Sequence, residues 1–186
     1  MPLRLQRIEL ADEKVLANLV QLSVHELSHF TAKEIGEDGL FEYPDLHTFF
    51  VDPDRAGYFI RIKNKLAGFV LLTGLSDTAP NREIKDFFIL HNYRGLGLGS
   101  EIANMVFEEH HGIWKVPVVE GNDGARHFWR KVIRRASARR YAETFLQGFR
   151  GTTFEFRFPP DLRGVMPGSY YNEVADDTTD DSEPTL

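Results

Sequence analysis

Cysteine is absent from the 186-residue chain. That excludes disulfides, thiolate metal sites and a cysteine nucleophile, and it fits a reducing, cytoplasmic setting. Long apolar runs are also missing, and the first fourteen residues contain no hydrophobic h-region, so neither an export segment nor a membrane segment is expected. Net charge is missing from most of the chain as well. The total is −6, but residues 160–186 hold seven acids and one base and account for all of it. A neutral 1–159 offers no electrostatic footprint for nucleic acid. The organisation expected from this is one domain over 1–159, long enough for a substantial core, followed by an acidic, apolar-poor and mobile tail over 160–186.

What is present is mostly amphipathic pattern. Leu3, Leu5 and Ile8 alternate with charged neighbours as a first strand does. Asp12 is placed to cap a helix reaching about His29, whose apolar stripe includes Leu16, Leu19, Val20 and Leu27. Residues 31–45 mix acids, glycines and aromatics and read as a loop, with a short helix near 44–51. Residues 57–63 and 66–73 read as a hairpin turning at Asn64. Ile84 and the run Phe87, Phe88, Ile89, Leu90 form a strand buried on both faces. After a glycine-rich turn, Ile102, Ala103 and Val106 fall at helical spacing. A strand over 113–119 contains Pro117, which cannot donate a ladder hydrogen bond. Ala125, Phe128, Trp129, Val132 and Ile133 then mark one helical face, and 141–149 with 152–158 form a last hairpin.

The chemistry concentrates between the central strand and the helix after it. Arg94, Gly95, Leu96, Gly97, Leu98, Gly99 and Ser100 join the two. Glycines let the backbone approach a ligand, and the helix N-terminus offers unpaired N–H groups with partial positive charge, which together make an anion site. The lysine of a nucleotide-binding P-loop is missing, and so is the dinucleotide spacing G-x-G-x-x-G. Arg94-x-x-Gly97-x-Gly99 resembles the acyl-CoA pyrophosphate loop of the GNAT superfamily of N-acetyltransferases. Asn122-x-x-Ala125-x-x-Phe128-Trp129-x-Lys131 is similar to a second segment of that family, and the element order over roughly 3–158 is the family's too.

The resemblance implies an α/β (α+β) fold with a mixed, mostly antiparallel central sheet and helices on both faces. It implies acetyl-CoA as acyl donor and a primary amine, on a small molecule or a protein, as acceptor; a homodimer is left open. Phe88, Ile89 and Leu90 would pair with pantetheine, the amides of 94–100 would hold the pyrophosphate, Phe128 and Lys131 would complete the donor site, and Asn122 would contact the pantetheine arm or the bound substrate. The central strand and the next one would splay apart for pantetheine, so the missing donor at Pro117 would cost little. The acceptor's proton needs a base. Glu83, eleven residues before Arg94 where several family members carry a glutamate base, is taken first, and Asp86 second. The two would face opposite ways on a regular strand, and a bulge would change that.

Trp129 stands where the family often places a tyrosine acid. Its spacing assigns it to the core, and the thiolate would leave unaided or take a proton from solvent, Tyr141 or Tyr93. That absence keeps a catalytically weak CoA-binding module as an alternative. A second is zinc hydrolysis through His25-Glu26-x-x-His29, which has the H-E-x-x-H spacing but no third ligand at a spacing known for such sites; His25 or His29 could instead touch substrate. Glu34, Glu37, Asp38 and Glu42, with Phe41 and Tyr43, would lie near the acceptor mouth or form a solvated loop.

Overall fold

Seven strands and four helices follow one another in the order the periodicities give. In the computed structural model, which describes residues 2–161 except 147 and 149, the strands are β1 (Leu3–Arg7), β2 (Arg55–Ile62), β3 (Lys65–Thr73), β4 (Arg82–Ile89), β5 (Gly112–Val119), β6 (Tyr141–Leu146) and β7 (Gly151–Phe158). The helices are α1 (Glu13–Leu27), α2 (Thr48–Val51), α3 (Leu98–Glu109) and α4 (Asp123–Ala136). The sequence reading of 160–186 as a tail lies, from residue 162 on, outside the described residues. All seven strands join one sheet in the order β1-β2-β3-β4-β5-β7-β6, antiparallel at every step except β4 to β5.

Both faces of that sheet are covered, which is why β3 is apolar at nearly every position between its ends. Alternate residues feed two cores. On one side Ile60, Val70, Leu72 and Ile84 pack with Ile102, Val106 and Phe107 of α3 and Trp129, Val132 and Ile133 of α4. On the other, Phe59, Phe69, Leu71 and Phe88 pack with Leu16, Leu19, Val20 and Val24 of α1 and Phe49 of α2. The β2–β3 turn is made by Lys63 and Asn64, both left-handed (φ 50° and 64°), the backbone that two-residue hairpins favour.

Two ends of α1 differ from the sequence reading. Asp12 gives the helix no side-chain cap; its carboxylate accepts instead from the Glu9 N–H (3.1 Å), because residues 10–12 form a separate 3-10 turn. The helix stops at Leu27 rather than near His29. The Ser28 and Thr31 hydroxyls donate to the His25 and Leu27 carbonyls (2.7 and 3.2 Å) and so use acceptors of the last turn.

Two features of the sheet shape the cleft. The first is a bulge in β4. Leu71 pairs with Asp86, but Leu72 pairs with Ile84, so Lys85 is an extra, exposed residue. The second is the parting of β4 and β5, whose registered pairs stop at Arg82–Trp114 and Glu83–Lys115. β3 must run close under β4 here. A Cβ on Gly68 would lie 2.0 Å from the Phe88 carbonyl oxygen, which is backbone and cannot yield. Gly68→Ala is therefore expected to lower the melting temperature by more than about 10 °C, the scale of a several-kcal/mol backbone clash. Differential scanning calorimetry checks this; a drop under about two degrees would show that the strands separate easily.

Candidate active site

Beyond Glu83 and Lys115, among the described residues, the strand pairings of β4 and β5 are with β3 and β7, so each turns an edge without a strand partner to the gap between them. The gap widens into a cleft of about 2070 Å³ that runs from the glycine turn to the β6–β7 hairpin. Pro117 sits on this parted stretch and pairs with Thr153 on its β7 side, so no β4 ladder is broken by its missing donor.

At one end lies the turn into α3. Gly95 and Gly97 adopt φ of 77° and 73°, a conformation that strains other residues, and a Cβ on either would meet nothing within 4 Å. The N–H groups of Gly95, Leu96, Gly97, Leu98 and Gly99 have no acceptor among the described residues; the neighbouring amides of Arg94 and Ser100 are taken by the His91 and Gly97 carbonyls (3.1 and 3.2 Å). Five successive free N–H groups at the positive end of a twelve-residue helix form a nest for an anion. Gly99 also lets Phe128 come close, since a Cβ there would lie 3.0 Å from the ring. Lys131 and Arg135, from α4, add positive charge to the same end of the cleft.

The Arg94 side chain turns away from the nest. Its Nε donates to the Ile89 carbonyl (2.6 Å), and its Nη2 donates to both carboxylate oxygens of Glu26 on α1 (2.9 and 2.7 Å). The Leu90 N–H donates to the Ala67 carbonyl (2.8 Å). Two of the main-chain groups expected for pantetheine thus already have partners within the chain. Ile89, Phe88, Arg94, Gly95, Gly97, Gly99 and Ser100 line the cleft; the side chains of Leu90, Leu96 and Leu98 do not. Leu98 is in the core, and Leu96 points to solvent. Asn122 lines the cleft while its Oδ1 accepts from the Ala125 N–H (3.1 Å) and so caps α4. Trp129 is in the core as its spacing implies, with ring centroids 5.0 Å from Phe87 and 4.9 Å from Phe128.

At the other end of the cleft are the carboxylates. The bulge puts Glu83 and Asp86 on the same face of β4: their β3 partners Thr73 and Leu71 are two residues apart, and Leu71 belongs to the α1–α2 core. Asp86 accepts a short hydrogen bond from the Tyr43 hydroxyl, which reaches it from the loop before α2. Burial pushes the Asp86 carboxyl up to about 6, although the Tyr43 hydrogen bond and the charges of Lys85 and Lys33 favour ionisation. Burial, and then the Asp86 charge, hold the Tyr43 phenol far above its ordinary range, so it stays a proton donor to Asp86. Two other acids at the cleft are already paired: Glu143 with Arg130 (2.5 Å) and Glu155 with Lys115 (3.6 Å).

Nothing in the sequence signals the Tyr43–Asp86 and Glu26–Arg94 pairs, because each joins residues far apart in the chain. Glu34, Glu37, Asp38 and Glu42 do not line the cleft; their loop is tied to α1 by Gln21, whose amide bonds both the N–H and the carbonyl of Phe41 (2.7 and 3.0 Å). Among the described residues no tyrosine lines the cleft, so neither Tyr141 nor Tyr93 is placed at its wall. The H-E-x-x-H motif is split: His25 lies in α1, His29 lies past its end, and Glu26 is bound to Arg94. Among the described residues no group of three His, Asp or Glu side chains could hold a metal. His29, but not His25, borders the cleft. No described helix is long and apolar enough to cross a membrane.

The solved structures that share this architecture are distant in sequence. An acetyltransferase from Thermus thermophilus superposes with a TM-score of 0.64 at 17% identity, covering 84% of this chain and 97% of that one. The GNAT domain of S. lividans PAT gives 0.60 at 16%, covering 83% and 90%. A spermidine N-acetyltransferase from Vibrio cholerae in complex with CoA and spermine gives 0.54 at 15%, covering 82% and 92%. Among curated proteins none matches. Residues 21–133, which contain the C-terminal half of α1, the bulged strand, the glycine turn and all but the end of α4, match the acetyltransferase (GNAT) family. The chain belongs to that family of acyltransferases.

Proposed function

We propose that the protein transfers the acetyl group of acetyl-CoA to a primary amine by direct attack in a ternary complex. The observation that carries this reading is the run of five unpartnered amides opening onto a gap between two unpaired strand edges. A pyrophosphate fits the nest, Lys131 and Arg135 suit a polyphosphate, and an extended, amide-bearing arm suits the open edge of β4. The donor would therefore lie with its phosphates at α3 and its thioester near the carboxylates.

The acceptor amine is cationic in solution and must lose a proton before it can attack. In our reading Asp86 takes that proton, directly or through a water, and Glu83 on the same face holds the cationic form. A carboxyl titrating near 6 is ionised at neutral pH yet is a stronger base than an ordinary aspartate. Nitrogen then bonds to the thioester carbon, the carbon–sulfur bond breaks, and CoA departs as the thiolate, for which no tyrosine at the cleft need supply a proton. A small di- or polyamine, or a protein amino group, suits the two carboxylates on this face. That a Vibrio cholerae relative of this fold was solved with spermine agrees with the smaller class.

The donor half is tested by isothermal titration with acetyl-CoA. Micromolar binding is expected, and no heat at millimolar ligand would remove the proposal. The acid half is tested through Tyr43→Phe. The Tyr43 hydrogen bond stabilises the ionised Asp86, so its loss should move the acid limb of kcat/KM upward from a midpoint near 6. A limb that stays in place would detach Asp86 from the rate.

A further inference from the structure

The neutral charge of 1–159 conceals a strong local separation. Between Gly124 and Ala142 there are seven arginines and lysines and no acid. On α4 and just beyond it, Lys131, Arg134, Arg135 and Arg139 are exposed, and none makes an ion pair among the described residues. His127, Lys131, Arg134 and Arg135 fall at helical spacing along one face of α4 and line a shallow depression, and Arg139, past the helix end, lines the same depression. Arg126 and Arg130 are different, being held by Asp123 and Glu143. The described part of the chain ends beside this face, where Arg140 donates to the main-chain oxygen of Asp161. The remaining residues, 162–186, include six acids and one base, and all six acids lie in 173–186.

We infer that the acidic segment 173–186 docks on the basic face of α4 in the same molecule. Charge is complementary, and the chain enters from the helix's C-terminal end. The eleven residues between Asp161 and Glu173 can extend roughly 35–40 Å, whereas the fourteen-residue α4 is only about 21 Å long. Tethering gives the segment an effective concentration of the order of millimolar, enough for weak ion pairs to be populated. The dock has a consequence that rests on the proposed function: Lys131 and Arg135 border both the depression and the cleft, so the acidic segment competes with a polyphosphate donor for them. Acetyl-CoA and the segment then weaken each other's binding.

The absence of cysteine allows a clean test. Thr179→Cys gives a single labelling site for a dye in the full-length chain. Its anisotropy should be high at about 20 mM salt and fall at about 500 mM, as the Debye length shortens from roughly 20 Å to roughly 4 Å. At low salt it should also fall in Arg134→Glu/Arg139→Glu, neither residue of which lines the cleft. Low anisotropy, unchanged by salt and by the variant, would overturn the dock; the salt arm needs no substitution, so misfolding cannot imitate it. The competition is read by titration: replacing Asp176, Asp177, Asp180 and Asp181 by Asn should tighten acetyl-CoA binding about three- to tenfold at low salt, and an unchanged Kd would overturn the competition. Acetyl-CoA failing to bind either protein would instead overturn the acetyltransferase proposal and leave the anisotropy result standing.

Discussion

Asp86→Asn is expected to lower kcat by about 10²–10⁴-fold near neutral pH, the usual worth of general-base catalysis. Asparagine keeps the shape of the side chain and can still accept from Tyr43, but it cannot take a proton. The Kd of acetyl-CoA should stay within about threefold of the parent value, because the anion nest lies at the other end of the cleft. The acid limb of kcat/KM, with its midpoint near 6, should disappear, and raising the pH should restore part of the rate as free amine becomes available. Stability should move the other way. The folded pKa of Asp86 lies above its unfolded value, so its ionised form opposes folding at neutral pH, and the opposition is relieved as pH falls below about 6. The Asn variant should therefore melt a few degrees above the parent at pH 8 and show a smaller difference at pH 5. Glu83→Gln should chiefly raise the KM for the amine, by about tenfold, with kcat less affected. The opposite pattern, a pH-rescued loss of kcat in Glu83→Gln with Asp86→Asn silent, would give the proton to Glu83.

Gly95→Asp is expected to weaken acetyl-CoA binding by at least about tenfold with little loss of stability. Position 95 has open space around it, and its left-handed backbone is one that Asp and Asn tolerate better than other side chains. The new carboxylate would stand at the mouth of the amide nest. At about 6 Å and an effective dielectric constant of ~20–40, repulsion by one phosphate charge is worth roughly 1.5–3 kcal/mol, or about 10- to 100-fold in Kd. Gly95→Asn is the control for shape without charge and should bind within about fivefold of the parent. Equal losses in both variants would show that strain, rather than charge, disturbs the turn. Gly99 is a poorer position for this test, because any side chain there strikes Phe128.

The elements were legible in the sequence where a single periodicity governed them. The double-sided apolar run of β4, the alternation of β7 and the i, i+3, i+4 stripe of α4 each report burial that the fold then shows. The glycine turn was legible because positive φ selects a residue type. The bulge at Lys85 was not, since Lys85, Asp86 and Phe87 carry no pattern that distinguishes an extra residue from a regular one. Yet the bulge decides that Glu83 and Asp86 share a face. Burial of Asp86 was hidden for a related reason: it depends on Tyr43, 43 positions earlier, whose loop is held by Gln21 of α1. The parting of β4 from β5 came from the family resemblance and not from composition. Averaging misled in one place, where a neutral total over 1–159 hid the unopposed bases along α4.

The most direct test of the central claim is a screen of primary amines, from diamines and polyamines to amino acids and peptide amines, with acetyl-CoA present and free thiol as the readout. Amine-dependent thiol release is predicted, reduced about two- to tenfold in Gly95→Asp at donor concentrations that just saturate the parent and slowed about a hundredfold or more in Asp86→Asn. Acetyl-CoA that binds tightly while no amine in the panel releases thiol above the rate of hydrolysis would contradict it, and would leave a protein that holds the donor without using it.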